Sequence, residues 1–252
     1  MGNNYTKTFA LAGAAGLLAY FVYYLLQEDD DDRDEDDDMY KKGYDLSGTM
    51  AANTVVESMS RADVLDLLAK IAASQEKAKS VLKTLVTRII DNDFTESMEE
   101  IYKNILPDVP VDPLKAKGLS LFDLDYLVER HQNDMAVREH IMKMIHMPPT
   151  EEEGEQVDIN PDKIVQVYEF MLEELQSLQS NENPLASQPD VNANAASLTV
   201  QAIVAAKVQT KFGYTSVQID RAITKHQAEL GMNTKFSRLA MQIQSEMTEI
   251  TG

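Results

Sequence analysis

Cysteine is absent from the 252 residues. That removes disulfides, thiolate zinc sites and cysteine nucleophiles in one step. Glycine and proline are scarce, at ten and eight, whereas Ala, Leu, Met, Glu, Gln and Lys are plentiful. Such usage favours helix over sheet. No cluster of Lys and Arg forms a basic face, and the net charge is −19. A nucleic-acid binder needs such a face, so DNA and RNA are excluded as expected partners.

The motifs of catalysis are missing as well. There is no phosphate-binding Gly-x-x-x-x-Gly-Lys loop, no Gly-x-Gly-x-x-Gly and no nucleophile elbow. Of the four histidines, His131, His140, His146 and His226, none stands in a His-Glu-x-x-His pair or at metal-ligand spacing. On one helix His131 and His140 lie on opposite faces. His131 and His226 each end a helix, where a cation suits the dipole. Carboxylate pairs sit in solvated runs where nothing raises a pKa for acid catalysis. The expectation is a non-catalytic protein with no catalytic, metal-binding or cofactor-binding residues and no cofactor.

What the sequence does have begins at its N-terminus. Thr8 to Leu26 is a run of nineteen residues without a charge, which as a helix spans about 28 Å, close to the hydrocarbon thickness of a bilayer. A cleaved signal peptide is shorter and ends in small residues; this run ends in Tyr23, Tyr24, Leu25 and Leu26. A buried core helix is not apolar all round beside a block of aspartates. The segment is read as a single membrane-spanning anchor over residues 1–27, with Thr8, Leu11, Leu17, Leu18, Phe21, Val22, Leu25 and Leu26 as anchor residues and Tyr20, Tyr23 and Tyr24 at one interface. Gly13 and Gly16, with Ala12 and Ala15, leave one face small enough for a second helix, which admits a homo-oligomer through the anchor.

Met1-Gly2-Asn3-Asn4-Tyr5-Thr6 fits the N-myristoylation pattern, with Gly2 as acceptor. Acylation there requires a cytosolic N-terminus and sets the large domain across the membrane. The basic residues near the two ends of the span, Lys7 on one side and Arg33, Lys41 and Lys42 on the other, instead favour a cytosolic domain. The lack of cysteine, and of any glycosylation sequon after the anchor, points the same way. The expected location is a membrane, single-pass, with the domain cytosolic.

Glu28 to Asp38 holds ten acids and one arginine. Eleven residues so charged repel one another and stay solvated. Residues 28–59 are therefore expected to be a flexible acidic neck. Beyond it, Ser60-Arg61-Ala62-Asp63 is a capping box, followed by the apolar face Val64, Leu65, Leu67, Leu68 and Ile71. A second segment carries Val81, Leu82, Leu85, Val86, Ile89 and Ile90. Asp91-Asn92-Asp93 breaks it. The sixth and twelfth positions of a calcium loop starting there are Glu96 and Tyr102, which rejects an EF-hand. A short helix is expected over 96–105, then an extended connector through Pro107, Pro110 and Pro113. Ser120 and Asp123 open a helix lined by Phe122, Leu124, Leu127 and Val128, and Asp134 caps another through Val137, Ile141 and Met144.

Met147-Pro148-Pro149 and the acidic stretch to Asp158 make 148–160 a linker between two lobes, 60–147 and 161–252. Asn160-Pro161 starts the second, with Ile164, Val167, Tyr168, Met171 and Leu175 on one face. Residues 180–196 read as a flexible loop. Helices are expected over 198–211, 216–230 and about 233–250. Two stretches resemble each other: Gly118-Leu119-Ser120 with its helix to His131, and Gly213-Tyr214-Thr215 with its helix to His226. A glycine turn, a hydroxyl cap and a His-terminated helix recur, as in a duplicated unit. Met135, Met142, Met144 and Met147 cluster, either as core filler or as an adaptable binding groove.

The whole reads as an all-α protein: an anchor, an acidic neck, then a bundle of seven to eight helices in one or two lobes. The function expected is a membrane-anchored interaction or scaffold protein whose partners are the membrane and another protein. Two alternatives stay open, a structural membrane-linked protein of a particle or virion and an accessory subunit of a membrane complex. An enzyme ranks behind all three.

Overall fold

The computed structural model describes residues 54–145, 157–180 and 191–251, and all regular structure among them is helical. The helices are α1 (Thr54–Ser58), α2 (Arg61–Asp91), α3 (Met98–Ile105), α4 (Leu121–Arg130), α5 (Met135–Ile145), α6 (Pro161–Ser180), α7 (Ala193–Phe212), α8 (Ser216–Lys225), α9 (Gln227–Met232) and α10 (Thr234–Thr251), with one 3-10 turn at Lys115–Lys117. Among the described residues no strand occurs, and no helix is long and apolar enough to cross a membrane. The expected anchor, Gly2 and most of the acidic neck lie outside the described residues.

Two units are distinguishable by their contacts. One contains residues 54–74 and 111–145; the other contains 75–110, 157–180 and 191–251. The division differs from one placed at the acidic linker, because 75–110 groups with the C-terminal residues. The physical reason is α2. Its two apolar segments are one 31-residue helix, and its N-terminal half belongs to one unit while its C-terminal half belongs to the other.

Local signals account for most helix ends. The Ser60 backbone N–H donates to Asp63 at 2.8 Å, and the Asp63 N–H returns a bond to the Ser60 hydroxyl at 3.3 Å, a reciprocal cap at the start of α2. At its other end Phe94 N–H donates to Ile89 C=O and Asp93 N–H to Ile90 C=O. This is a Schellman closure, and it holds Asp93 and Phe94 at positive φ of 51° and 57°. Ser97 and Glu100 form a further capping box at α3. The proline connector turns at both ends rather than running extended throughout: Asp108 and Val109 N–H groups both bond Ile105 C=O, and the Asp112 carboxylate accepts from Leu114 N–H at 2.8 Å.

In the first unit Val64, Leu67, Leu68 and Ile71 of α2 pack with Leu119, Leu124, Leu127 and Val137. Phe122 departs from expectation. It is 83% exposed, because it sits about 160° around the helix from Leu124, the residue that faces the core. In the second unit Ile164, Val167, Tyr168, Met171 and Leu175 of α6 pack with Phe236, Leu239, Ile243 and Met247 of α10. Tyr168 and Phe236 meet with ring centroids 4.7 Å apart, and burial, with Asp220 nearby, pushes the Tyr168 hydroxyl well above its usual pKa. Helix α7 is buried nearly all round and starts at Ala193, inside the stretch expected to be loop. Asn192 caps it, and the Asn192 N–H donates to the buried Tyr102 hydroxyl on α3 at 2.9 Å.

Both units follow one scheme. Met59 just before α2 and Val64, Leu67, Leu68 and Ile71 on it are buried; so are Ile159 just before α6 and Ile164, Val167, Tyr168 and Met171 on it, at matching places. Then come Gly118 and Gly213, both left-handed with φ of 66° and 74°. Ser120 with Asp123 and Thr215 with Gln218 close capping boxes on two ten-residue helices. His131 and His226 end these helices with nearly the same backbone angles. Asp134 and Asn233 cap the last helix, and the first residue each cap bonds that is also buried is Val137 in one and Phe236 in the other. The offset of 95 that pairs Gly118 with Gly213 sets Ile141 against Phe236; the caps pair Val137 with it instead, because four more residues lie between His226 and Asn233 than between His131 and Asp134.

Candidate interaction surface

Helix α4 is fixed from both ends. The Ser120 N–H donates to Asp123 at 2.8 Å and the Asp123 N–H to the Ser120 hydroxyl at 3.2 Å. At the far end the Arg130 guanidinium donates to the carbonyls of Val56 and Glu57 at 3.4 and 3.3 Å. Leu124 and Leu127 point inward. With the core side so defined, the outward stripe is defined too: Phe122, Asp125, Tyr126 and Glu129, at i, i+3, i+4 and i+7, occupy about 100° of the helix circumference. Tyr126 is 52% exposed.

The electrostatics of this unit are uneven. Loss of solvent, with the Glu129 charge one turn away, pushes the Asp125 carboxyl above its ordinary value. Asp134 goes the other way. It accepts from Arg61 and from the Ala136 and Val137 N–H groups, and the Arg61 hydrogen bond does most to hold it down at about 2. At the start of α2, the Ser60 hydroxyl and N–H hold Asp63 below its usual value.

The second unit contains a cleft of about 180 Å³ lined by Ile89, Phe94, Met98, Ile101, Leu178 and Ile203, with Asn92, Glu96 and Lys207 as its polar members. Glu96 is paired with Arg88 at 2.5 Å, and Lys207 with Glu174 at 2.5 Å. Both charged groups at this cleft thus take part in internal ion pairs, although the Oε2 atom of Glu96 is buried without a hydrogen-bond partner, and no serine or histidine lines the cleft. Among the described residues no group of three His, Asp or Glu side chains could hold a metal ion.

No known family model matches the chain, and neither a curated protein nor a solved structure is significantly similar to it. The functional reading therefore rests on its own residues.

The residues singled out in the sequence are dispersed. Gly2 and the anchor residues Thr8, Leu11, Leu17, Leu18, Phe21, Val22, Leu25 and Leu26 lie outside the described residues. His131 and His226 sit at their helix C-caps as expected, and in both the Nε2 atom is buried without a hydrogen-bond partner. His140 bonds through Nδ1 to the Ala136 carbonyl at 3.0 Å; His146 is outside the described residues. Met135 is 75% exposed, and the side chains of Met142, Met144 and Met147 fall outside the description. The stripe on α4 is masked in the sequence by Phe122, whose position beside Leu124 gives it the look of a core residue. Its angle from Leu124, together with Tyr126 one turn on, is the signal that finds it.

Proposed function

We propose that the chain is a membrane-anchored helical interaction protein without catalytic activity. The anchor is the uncharged run from Thr8 to Leu26, the acidic neck spaces the helical units from the bilayer, and those units bind another protein on the cytosolic side. The observation that carries the binding part is the outward stripe of α4. A helix capped at both ends and packed through Leu124 and Leu127 presents two aromatic rings to solvent. Burying such rings against a partner is worth more than leaving them in water, and aromatics are enriched where interfaces are strongest.

Protease treatment of sealed membranes carrying the full chain with a C-terminal tag tests the anchored, cytosolic arrangement. The expected outcome is that the tag stays with the membranes and is digested without detergent. A protected tag places the units across the membrane, in agreement with acylation of Gly2. A tag recovered in the soluble fraction refutes the anchor.

A further inference from the structure

We infer that the cleft of the second unit binds a small neutral ligand, ring-sized and apolar, whose hydroxyl donates to Glu96. This site lies outside the interaction-protein reading and does not depend on it.

Four helices of one unit build the cleft. Ile89 comes from α2, Met98 and Ile101 from α3, Leu178 from α6 and Ile203 from α7, while Phe94 and Glu96 stand in the turn between α2 and α3. Ile89, Ile101 and Ile203 are buried, and Phe94, Met98 and Leu178 are half-buried. An apolar cavity of about 150 Å³ holds a benzene-sized molecule, and this cleft measures about 180 Å³. That is smaller than the pockets that take drug-sized ligands, so its size selects a single ring or a short alkyl chain.

The polar members select further. Glu96 and Lys207 are the charged ones, and each is matched, by Arg88 and Glu174, at 2.5 Å. The four charges cancel, so an ionic ligand gains no net attraction and still gives up its hydration. One hydrogen-bonding capacity is left over. Arg88 takes one oxygen of Glu96, while Oε2 is buried with no partner. A buried acceptor without a donor is costly, and a bond to a carboxylate is stronger than one between neutral groups. Glu96 is a wall residue of the cleft with 23% of its side chain exposed, so a small shift of the carboxylate opens that oxygen to a ligand. A neutral hydroxyl supplies the donor without adding a charge.

The turn that carries Phe94 and Glu96 is itself held in an unfavourable conformation. A Schellman closure needs one left-handed residue, most often glycine. Here two residues in succession, Asp93 and Phe94, have positive φ, of 51° and 57°. For a bulky side chain that region is an outlier, and strained backbone is concentrated at binding sites. Glycine at position 94 would relieve the strain but would take the ring from the wall of the cleft.

The test is methyl NMR of the full chain in lipid nanodiscs, read at Met98 and Ile203, with p-cresol and toluene, two probes that differ by a hydroxyl. Each probe is compared with itself across variants, so its uptake by lipid cancels. The unaltered chain should show saturable shifts with both. Glu96→Ala should weaken p-cresol at least about tenfold, the worth of a hydrogen bond to a charged group, and should leave toluene bound as before. Glu96→Gln keeps an acceptor oxygen and should keep most of the p-cresol affinity. Leu178→Trp fills the cleft and should abolish the shifts from both probes, with helix content unchanged by circular dichroism. The inference is overturned by no saturable shift in the unaltered chain, or by equal weakening of both probes in Glu96→Ala. Binding of p-toluate, the carboxylate counterpart, as tightly as p-cresol overturns it too. The readout is local to the cleft, so this site can fail while the anchored reading stands, and stand if that reading fails.

Discussion

Asp134 serves two purposes with one carboxylate. It caps α5 through the Ala136 and Val137 N–H groups and pairs with Arg61 at the start of α2, which ties two helices of one unit together. Its folded value is about 2, against an ordinary 3.8. For an acid so depressed, the stabilisation is complete above the ordinary value and is lost as pH falls toward 2. A carboxyl titration followed by NMR should place the Asp134 midpoint at about 2. Arg61→Gln should move it back toward the ordinary value, and an unmoved midpoint would assign the depression to the cap alone. Tyr102 is a second residue with a long reach. Its hydroxyl receives the N–H of Asn192, ninety positions away, at the N-cap of a helix that is buried nearly all round. Tyr102→Phe removes that acceptor and keeps the ring, so chemical denaturation should show a loss of about 0.5–1.5 kcal/mol, the net worth of one hydrogen bond whose donor can turn to water.

At the scale of the element, the capped helices α4 and α8 share their construction down to the glycine that precedes each. Gly118 and Gly213 have open space where a Cβ would go, so contact does not explain either residue. Their positive φ does. Gly118→Ala and Gly213→Ala should therefore each cost about 1–2 kcal/mol, the penalty of a left-handed L-residue, and the two losses should be alike. A much larger cost at one site would show a steric constraint that the open space does not contain. The sequence made these elements legible because a hydroxyl cap and its partner three residues on form a local signal, needing no knowledge of the rest of the chain. The α-helical class and the faces of α2, α6 and α10 were legible for the same reason, through periodicity. What escaped was non-local. The two apolar segments of α2 looked separate because the polar Gln75, Glu76 and Lys77 interrupt their spacing, yet Gln75 is itself buried. The start of α7 was hidden by the opposite fault. A helix buried on nearly all sides has little periodic contrast, and its Asn-Ala-Asn-Ala opening has the composition of a loop. The outward stripe of α4 needed both the capped helix and knowledge of which face meets the core.

For the whole molecule, the proposed function joins three features that lie far apart in the chain. In that proposal the uncharged run near the N-terminus is the attachment, the ten acids between Glu28 and Asp38 are the spacer, and the helical units carry the binding face. The central claim is attachment by the apolar run itself, and alkaline extraction of membranes from cells producing the full chain tests it most directly. High pH strips peripheral proteins and leaves helices that cross the bilayer in place. The account predicts that the chain remains in the membrane pellet and that replacing Leu17 and Leu18 with arginine, which makes insertion costly by about 2.5–3.5 kcal/mol for each charge near the bilayer centre, releases it. Recovery of the unaltered chain in the alkaline supernatant would contradict the account.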